Sequence, residues 1–436
     1  MIIIEQLLLL LSILIIFGLS LLDLCDCIKA ENIRHHLGTR TPYRIKYNKD
    51  DSKIKFHNCK PQKIWMLLRH GSRLPSAKDI LGAKTVLQNL KYEILLQHNM
   101  GKGHLNKEQL QNFEHWACDM PVDEEKYLTL EGQDEMVLLA ERTQKRFSPI
   151  IQKNYDNRSF QFKYTATQRT QQSAKYFSIG LFDKKNAQNV VFEPALKVDN
   201  TLRFYKDCER WKKEVKKNPK TFEEQKLYGN SKQMNETLEN VSKFLGLDRV
   251  LNLDVVSLMY KICGYETSWH KHFASPWCYP FNTTNIERME YFYDLKHYWS
   301  DGYGHDLTLR PACMLLKHMF HALRNESRNA TFLFAHSGTL LKLLAHLQLY
   351  KPKSHLRGDT LNNDRTWRAS NIDCFASNLA FVLYKCNDGD KILTLHQERI
   401  IKLPMCDNEL CPLNYLENYF YNSIHNCNHA DICNVS

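Results

Sequence analysis

The sequence predicts an α/β fold, a sheet core flanked by helices and carrying a largely helical cap. Three observations predict it. Lys63 to Leu68 and Asn329 to Ala335 are apolar runs of strand length, and each ends at a histidine and small residues before a helical pattern begins. Ser159 to Tyr164 alternates Phe160, Phe162 and Tyr164 on one face, as a strand does, and also leads into a helix start. From Asp207 to about Val256 the chain turns polar, lysine-rich and helical, which suits an insertion lying over the core.

The 436 residues are enough to bury a sizeable core, and the apolar and charged fractions are those of an ordinary globular protein. A net charge of +11 points to acidic partners such as phosphate esters, nucleic acid or anionic lipid. The basic residues are spread along the chain rather than gathered in one tail. Leu7 to Leu22 is a nearly unbroken apolar run followed by small and polar residues, so residues 1–30 read as a signal peptide, with a signal anchor as the competing reading. The remaining 31–436 read as one domain, with the cap at roughly 205–300. Removing Cys25 and Cys27 with the leader leaves twelve of the fourteen cysteines, an even number compatible with disulfides. Asn-x-Ser/Thr sequons begin at Asn157, Asn235, Asn240, Asn282, Asn325, Asn329 and Asn434. The carboxyl end carries neither a retention tetrapeptide nor an apolar anchor tail. A secreted or lumenal glycoprotein follows.

The first strand runs into Arg69-His70-Gly71-Ser72-Arg73-Leu74-Pro75. It delivers one imidazole and two guanidinium groups to the carboxyl edge of the sheet, where open α/β sheets bind ligands. The glycine permits a tight turn and close approach of a ligand to the backbone. Arginine forks match phosphate oxygens, and a neutral histidine can attack phosphorus. The plainer reading is surface decoration, but five motif residues at a strand-to-helix junction point to phosphoryl transfer.

Ala77 to His98, His104 to Ala117 and Leu130 to about Phe147 follow as helices. The strand at Ser159 leads to Arg169 at a helix start, where anions are favoured, so Arg169 is a candidate third phosphate ligand. Val190 to Phe192 and Lys197 to Phe204 read as short extended pieces. Asn285 to Trp299 and Pro311 to Leu323 read as helices. The strand at Asn329 ends in His336-Ser337-Gly338-Thr339, and an apolar helix follows over Leu340 to Leu349. A second histidine at that edge is placed to donate a hydrogen bond to a phosphoryl oxygen. Asn378 to Tyr384 and Lys391 to Leu403 complete the sheet.

Taken in order, Arg69 through Pro75, Arg169 and strand-borne His336 resemble the histidine acid phosphatase branch of the histidine phosphatase superfamily. Leu37 through Tyr43, Ser275-Pro276-Trp277-Cys278, Asp294 through Trp299, Gly302-Tyr303-Gly304, Asn378 through Tyr384, and Cys406 through Leu413 are similar to its inositol-polyphosphate phosphatases. The resemblance implies a histidine-phosphatase-like fold and a phosphomonoesterase with His70 as nucleophile. Arg69, Arg73, Arg169 and His336 would surround the phosphoryl group. It also implies a phosphorylated small molecule as partner, an inositol polyphosphate, with no nucleic acid, no metal and no cofactor.

One departure stands out. Relatives carry an acidic proton donor directly after the second histidine, or one residue later, and here those positions are Ser337 and Gly338. The proton donor is therefore unknown. Asp306 is one carboxylate that could serve, and the alternative functions are a phosphate-binding protein without turnover and a histidine acid phosphatase of other substrate preference. A phosphoglycerate-mutase-like enzyme ranks lower, since leader, sequons and cysteines suit another compartment. In the tail, His425, Cys427, His429 and Cys433 have zinc-ligand types, but disulfide pairing is the preferred use in a secreted chain. The His270-Lys271-His272 cluster reads as solvated.

Overall fold

In a computed structural model of the chain, residues 33–271 and 275–435 are described. The leader expected over 1–30 and His272 of the histidine cluster lie outside them. Seven strands form one mixed sheet: β1 Cys59–Arg69, β2 Phe160–Tyr164, β3 Ala330–Ala335, β4 Asn378–Cys386, β5 Gly389–His396, β6 Arg399–Ile401 and β7 Leu410–Pro412. Their order is β2-β3-β1-β4-β5-β6, with β7 also paired to β5. The first three are parallel, with Ile64 through Arg69 opposite Ala330 through Ala335 and Phe160 through Tyr164 opposite Ala330 through Phe334. β4 runs antiparallel to β1, so that Leu68 faces Asn378. One edge of the sheet therefore collects the ends of β1, β2 and β3 together with the entrance to β4.

The central strands are apolar on both faces because both faces are covered. Ile64, Met66 and Leu68 join Phe162, Phe332 and Val382 under helices α1 (Leu130–Arg146) and α2 (Gln168–Asn186). Trp65, Leu67, Leu333 and Phe381 face the other way, into a larger core built with α3 (Leu253–Trp269), α4 (Thr283–Asp301) and α5 (Ser337–His346). Asn caps start α3 and α4, each side chain accepting a backbone N–H three residues on. Among the described residues the stretch from 205 to 301 gives no strand to the sheet, only helices and turns.

Two expectations need correction. Val190–Phe192 and Lys197–Phe204 are not strands. Glu193 N donates to Phe162 O at 2.9 Å, and the next residue is Pro194, which has no N–H to continue the ladder. Lys391–Leu403 is broken into β5 and β6 by Gln397 and Glu398, whose φ values of 48° and 65° make the turn.

Ten of the twelve cysteines among the described residues pair: Cys59–Cys386, Cys208–Cys433, Cys263–Cys278, Cys313–Cys427 and Cys406–Cys411. The two tail cysteines considered as zinc ligands are thus used in disulfides. Cys118 and the buried Cys374 stay reduced, so the even count overstates the pairing by one bridge. Asn157, Asn235, Asn240, Asn282 and Asn434 are exposed, while Asn325 and Asn329 are half-buried. Among the described residues no helix is long and apolar enough to cross a membrane.

Candidate active site

The sheet edge opens into a cavity of about 410 Å³. Its wall contains Arg69, His70, Arg73, Arg169, His336 and Ser337, so the sequence-predicted residues do come together. Arg69 is the last residue of β1, His336 follows β3 and caps α5, and Arg169 lies in the first turn of α2.

The loop after β1 is held from behind. A Cβ on Gly71 would sit 2.4 Å from the carbonyl oxygen of Gly132, and one on Gly132 would sit 2.2 Å from Ser72 O. Two glycines are needed for α1 to touch this loop, and what approaches Gly71 is a helix backbone rather than a ligand. Buried Glu135 accepts Ser72 N at 2.7 Å and Ser72 Oγ at 3.0 Å, and also Tyr43 N at 3.2 Å. Burial pushes its carboxyl up to about 7.

The hydrogen bonds assign both imidazole tautomers. His70 Nδ1 lies 2.9 Å from Gly71 O, which can only accept, so Nδ1 carries the proton and Nε2 keeps its lone pair. Burial, then Arg169 and Arg69, hold the ring well below the usual histidine range, and it is neutral. Arg169 Nη2 lies 3.3 Å from His336 Nδ1, and a guanidinium can only donate. His336 Nε2 therefore donates to Thr165 Oγ1 at 2.8 Å. Both nitrogens of His336 are engaged, so it orients Arg169 rather than presenting a free donor; the two rings are 5.6 Å apart between centroids.

Arg69 is anchored by donating to Thr39 O at 2.7 Å and Asp373 O at 2.5 Å, with its guanidinium 4.8 Å from the Phe375 ring. Arg73 donates to Leu74 O at 2.8 Å and lies 5.4 Å from the Tyr265 ring. Sequence reasoning missed five of the eight arginines and lysines that line the cavity among the described residues. Arg40, Arg203, Lys206, Lys261 and Lys296 also line the cavity, against one carboxylate, Asp79. Arg40 and Lys296 fall in stretches that carried the family resemblance, but single basic residues outside the strand-end motifs give no signal of their own. Burial and the neighbouring arginines lower Arg169 to about 10, and burial and Lys216 lower Lys206 to about 8. The Nε atoms of Arg40, Arg69, Arg169 and Arg203 are buried without an acceptor among the described residues. Preformed, unpartnered donors around a neutral nucleophile suit a multiply charged anion.

Asp306, the carboxylate suggested from sequence, is not here. It lines a separate cavity with Tyr298, Tyr303 and His346. Ser337 donates a short hydrogen bond to Oδ2 of Asp373, and the space beside Gly338 is filled by Tyr205, whose Cζ and Oη lie 3.1 Å from an ideal Cβ.

Comparisons with known proteins bear on the family and the fold. Residues 62–403 match the family model of the histidine phosphatase superfamily (branch 2). The multiple inositol polyphosphate phosphatase 1 of Drosophila melanogaster is 31% identical over 86% of this chain and 82% of its own length. The human protein of that name is 24% identical over 92% and 85%. Among solved structures, the phytase from D. castellii superposes with a TM-score of 0.75 at 17% identity, covering 92% of this chain and 87% of its own. The Bifidobacterium longum multiple inositol polyphosphate phosphatase in complex with inositol hexasulfate gives 0.66 at 13%, covering 88% and 97%. With its family match over most of the length and its fold shared with these enzymes, the chain belongs to the histidine phosphatase superfamily, branch 2, as a phosphoric monoester hydrolase.

Proposed function

We propose that the protein hydrolyses inositol polyphosphates through a phosphohistidine on His70. The observation that carries this reading is the ring of buried, unpartnered arginine donors around a neutral imidazole whose Nε2 lone pair is free. Nε2 attacks phosphorus while Arg69, Arg73 and Arg169 hold the equatorial oxygens, and His336 keeps Arg169 aligned. Fixed cations supply the positive field along the phosphoryl-transfer path. Arg40, Arg203, Lys206, Lys261 and Lys296 extend that field beyond one phosphate, which favours a substrate carrying several. Similarity to proteins named as inositol polyphosphate phosphatases supports the same substrate class. Five disulfides and exposed sequons support passage through the secretory pathway, with residues 1–30 as leader and 31–436 as one phosphatase domain carrying the helical cap.

Replacing His70 with Ala should abolish phosphate release from inositol hexakisphosphate while circular dichroism is unchanged. Release at the wild-type rate would sink the assignment. A second reading, a binder without turnover, is favoured by the absence of a carboxylate at Ser337 and Gly338. It predicts salt-sensitive binding of inositol hexakisphosphate with no inorganic phosphate produced.

A further inference from the structure

The phosphomonoester reading leaves one role unfilled, the acid that protonates the departing alkoxide. Three aspartates stand at or behind the cavity wall. Asp79 faces the cavity, but Lys261 Nζ lies 2.9 Å away and Ser76 Oγ donates to it at 2.7 Å. Burial raises its carboxyl, these partners outweigh burial, and the group is held ionised. Asp301 is bound by buried Lys342 and by His297, which drive it far below the carboxylate range against the effect of burial. Asp373 differs. Its side chain is fully buried, Arg69 Nη1 is 3.7 Å from Oδ1 without a hydrogen bond, and Oδ1 has no hydrogen-bond partner among the described residues. Oδ2 meets the hydroxyl of Ser337, and Ser337 itself lines the cavity beside His336.

We propose that Ser337 hands the proton to the leaving oxygen and that Asp373 stands behind it as the proton source, an inference that rests on the phosphomonoesterase reading above. With the carboxyl protonated, its O–H donates to Ser337 Oγ and frees the serine hydroxyl to donate into the cavity. As the P–O(alcohol) bond breaks and the bond from His70 Nε2 to phosphorus forms, the serine proton passes to the alcohol oxygen and the Asp373 proton passes to Oγ. In the second half, water attacks phosphorus and the Nε2–P bond breaks. The water's proton returns through Ser337 to Asp373, and the enzyme is restored. The carboxyl is suited to both directions. Burial raises it, Arg69 and Ser337 lower it, Asp301 raises it again, and it stands at about 6. The adjacent Cys374 thiol is pushed up by burial and adds no charge.

The arrangement also accounts for the residue types after His336. A short hydroxyl fits where Tyr205 closes the space beside Gly338, and the acid is supplied from the loop before β4.

Two substrates separate this proposal from a structural role. Inositol hexakisphosphate has an alcohol leaving group that needs a proton, whereas the nitrophenolate of p-nitrophenyl phosphate leaves without one. Read in a single turnover as the rate of His70 phosphorylation, because hydrolysis of the phosphohistidine is common to both substrates, Asp373→Asn should slow the first by about a hundredfold and leave the second nearly unchanged. Ser337→Ala should show the same split, and the double variant should lose little more, because both act in one relay. Wild-type turnover of the hexakisphosphate should fall as pH rises through about 6, and that step should vanish in Asp373→Asn. Equal loss on both substrates would make Asp373 a prop for Arg69 and overturn the relay. So would a selective loss in Tyr205→Phe with Asp373→Asn unaffected. A wild type inert toward both substrates would instead remove the phosphatase reading itself, and the relay with it.

Discussion

Arg169→Met should make the ligand-free protein more stable and a poorer enzyme. Methionine keeps most of the side-chain volume and removes the charge. The guanidinium is lowered from 12.5 to about 10 by burial and by Arg73 and Arg203, so keeping it charged costs roughly 3 kcal/mol. Its buried Nε lacks an acceptor among the described residues, which is part of the same penalty. Against this, the variant loses the 3.3 Å hydrogen bond to His336, a contribution of about 1 kcal/mol. The balance is a gain of about 1–2 kcal/mol. For a chain of 436 residues that raises the melting midpoint by only about 1–2 °C. Scanning calorimetry without ligand reads the gain, and phosphate release from inositol hexakisphosphate should fall by about 10²–10³-fold. A lower midpoint would mean that Arg169 is a strut for His336 and Thr165, not a charge held against its surroundings. Undiminished turnover would remove it from the phosphate site.

Two further substitutions test packing near and beyond the site. Gly338→Glu places an acid at one of the positions where the family resemblance implies one, but its Cβ falls 3.1 Å from the Tyr205 ring, which is itself packed on Trp211 with Lys342 Nζ 4.5 Å above it. It should destabilise by about 1–3 kcal/mol in a thermal melt and leave release from inositol hexakisphosphate no higher; faster turnover at an unchanged midpoint would contradict this. Arg365, fully buried, donates through Nε to Asp294 at 2.7 Å and through Nη2 to Glu290 at 3.2 Å. Arg365→Ala leaves buried Asp294 without a cation, while Glu290 keeps His36, Arg368 and Ser370, and should cost about 3–5 kcal/mol in denaturant unfolding, while a loss below 1 kcal/mol would show that Asp294 protonates or rehydrates freely.

The strands that reach the site were legible because their signals are local and redundant. Apolar runs of fixed length ended in Arg69-His70-Gly71 and in His336, and β1 and β3 formed where those runs lie. Arg169 could be read because a strand and a helix start bracket it. The other cations could not. Arg203 and Lys206 sit at or just past the end of a piece read as extended, where no motif marks them, and Lys261 and Lys296 are single residues on α3 and α4 that only the packing of those helices brings to the cavity wall. Asp373 was invisible for another reason. It lies 36 residues from its partner Ser337, on a loop that nothing in the local sequence links to the phosphate grip. The pieces around Val190 and Lys197 show the converse: Val190 and Phe192 pack on the core, Val191, Leu196 and Val198 are exposed, and beyond Glu193 no ladder forms past Pro194.

The reversal of β4 beside β1 has a consequence for how such a site can change. In an all-parallel sheet each contribution at the working edge comes from a strand's exit, tied to the helix that follows. Here the edge also receives the approach to a strand, and Ala376 N and Ser377 O bond directly to His70 O and Arg69 N. The loop carrying Arg69 and His70 and the segment carrying Asp373 are thus separate pieces of chain stitched together by main-chain bonds. Side chains on one piece can be exchanged while the backbone that seats the other stays in register. An acid on either piece can therefore face groups held by the other with no change of register between β1 and β4.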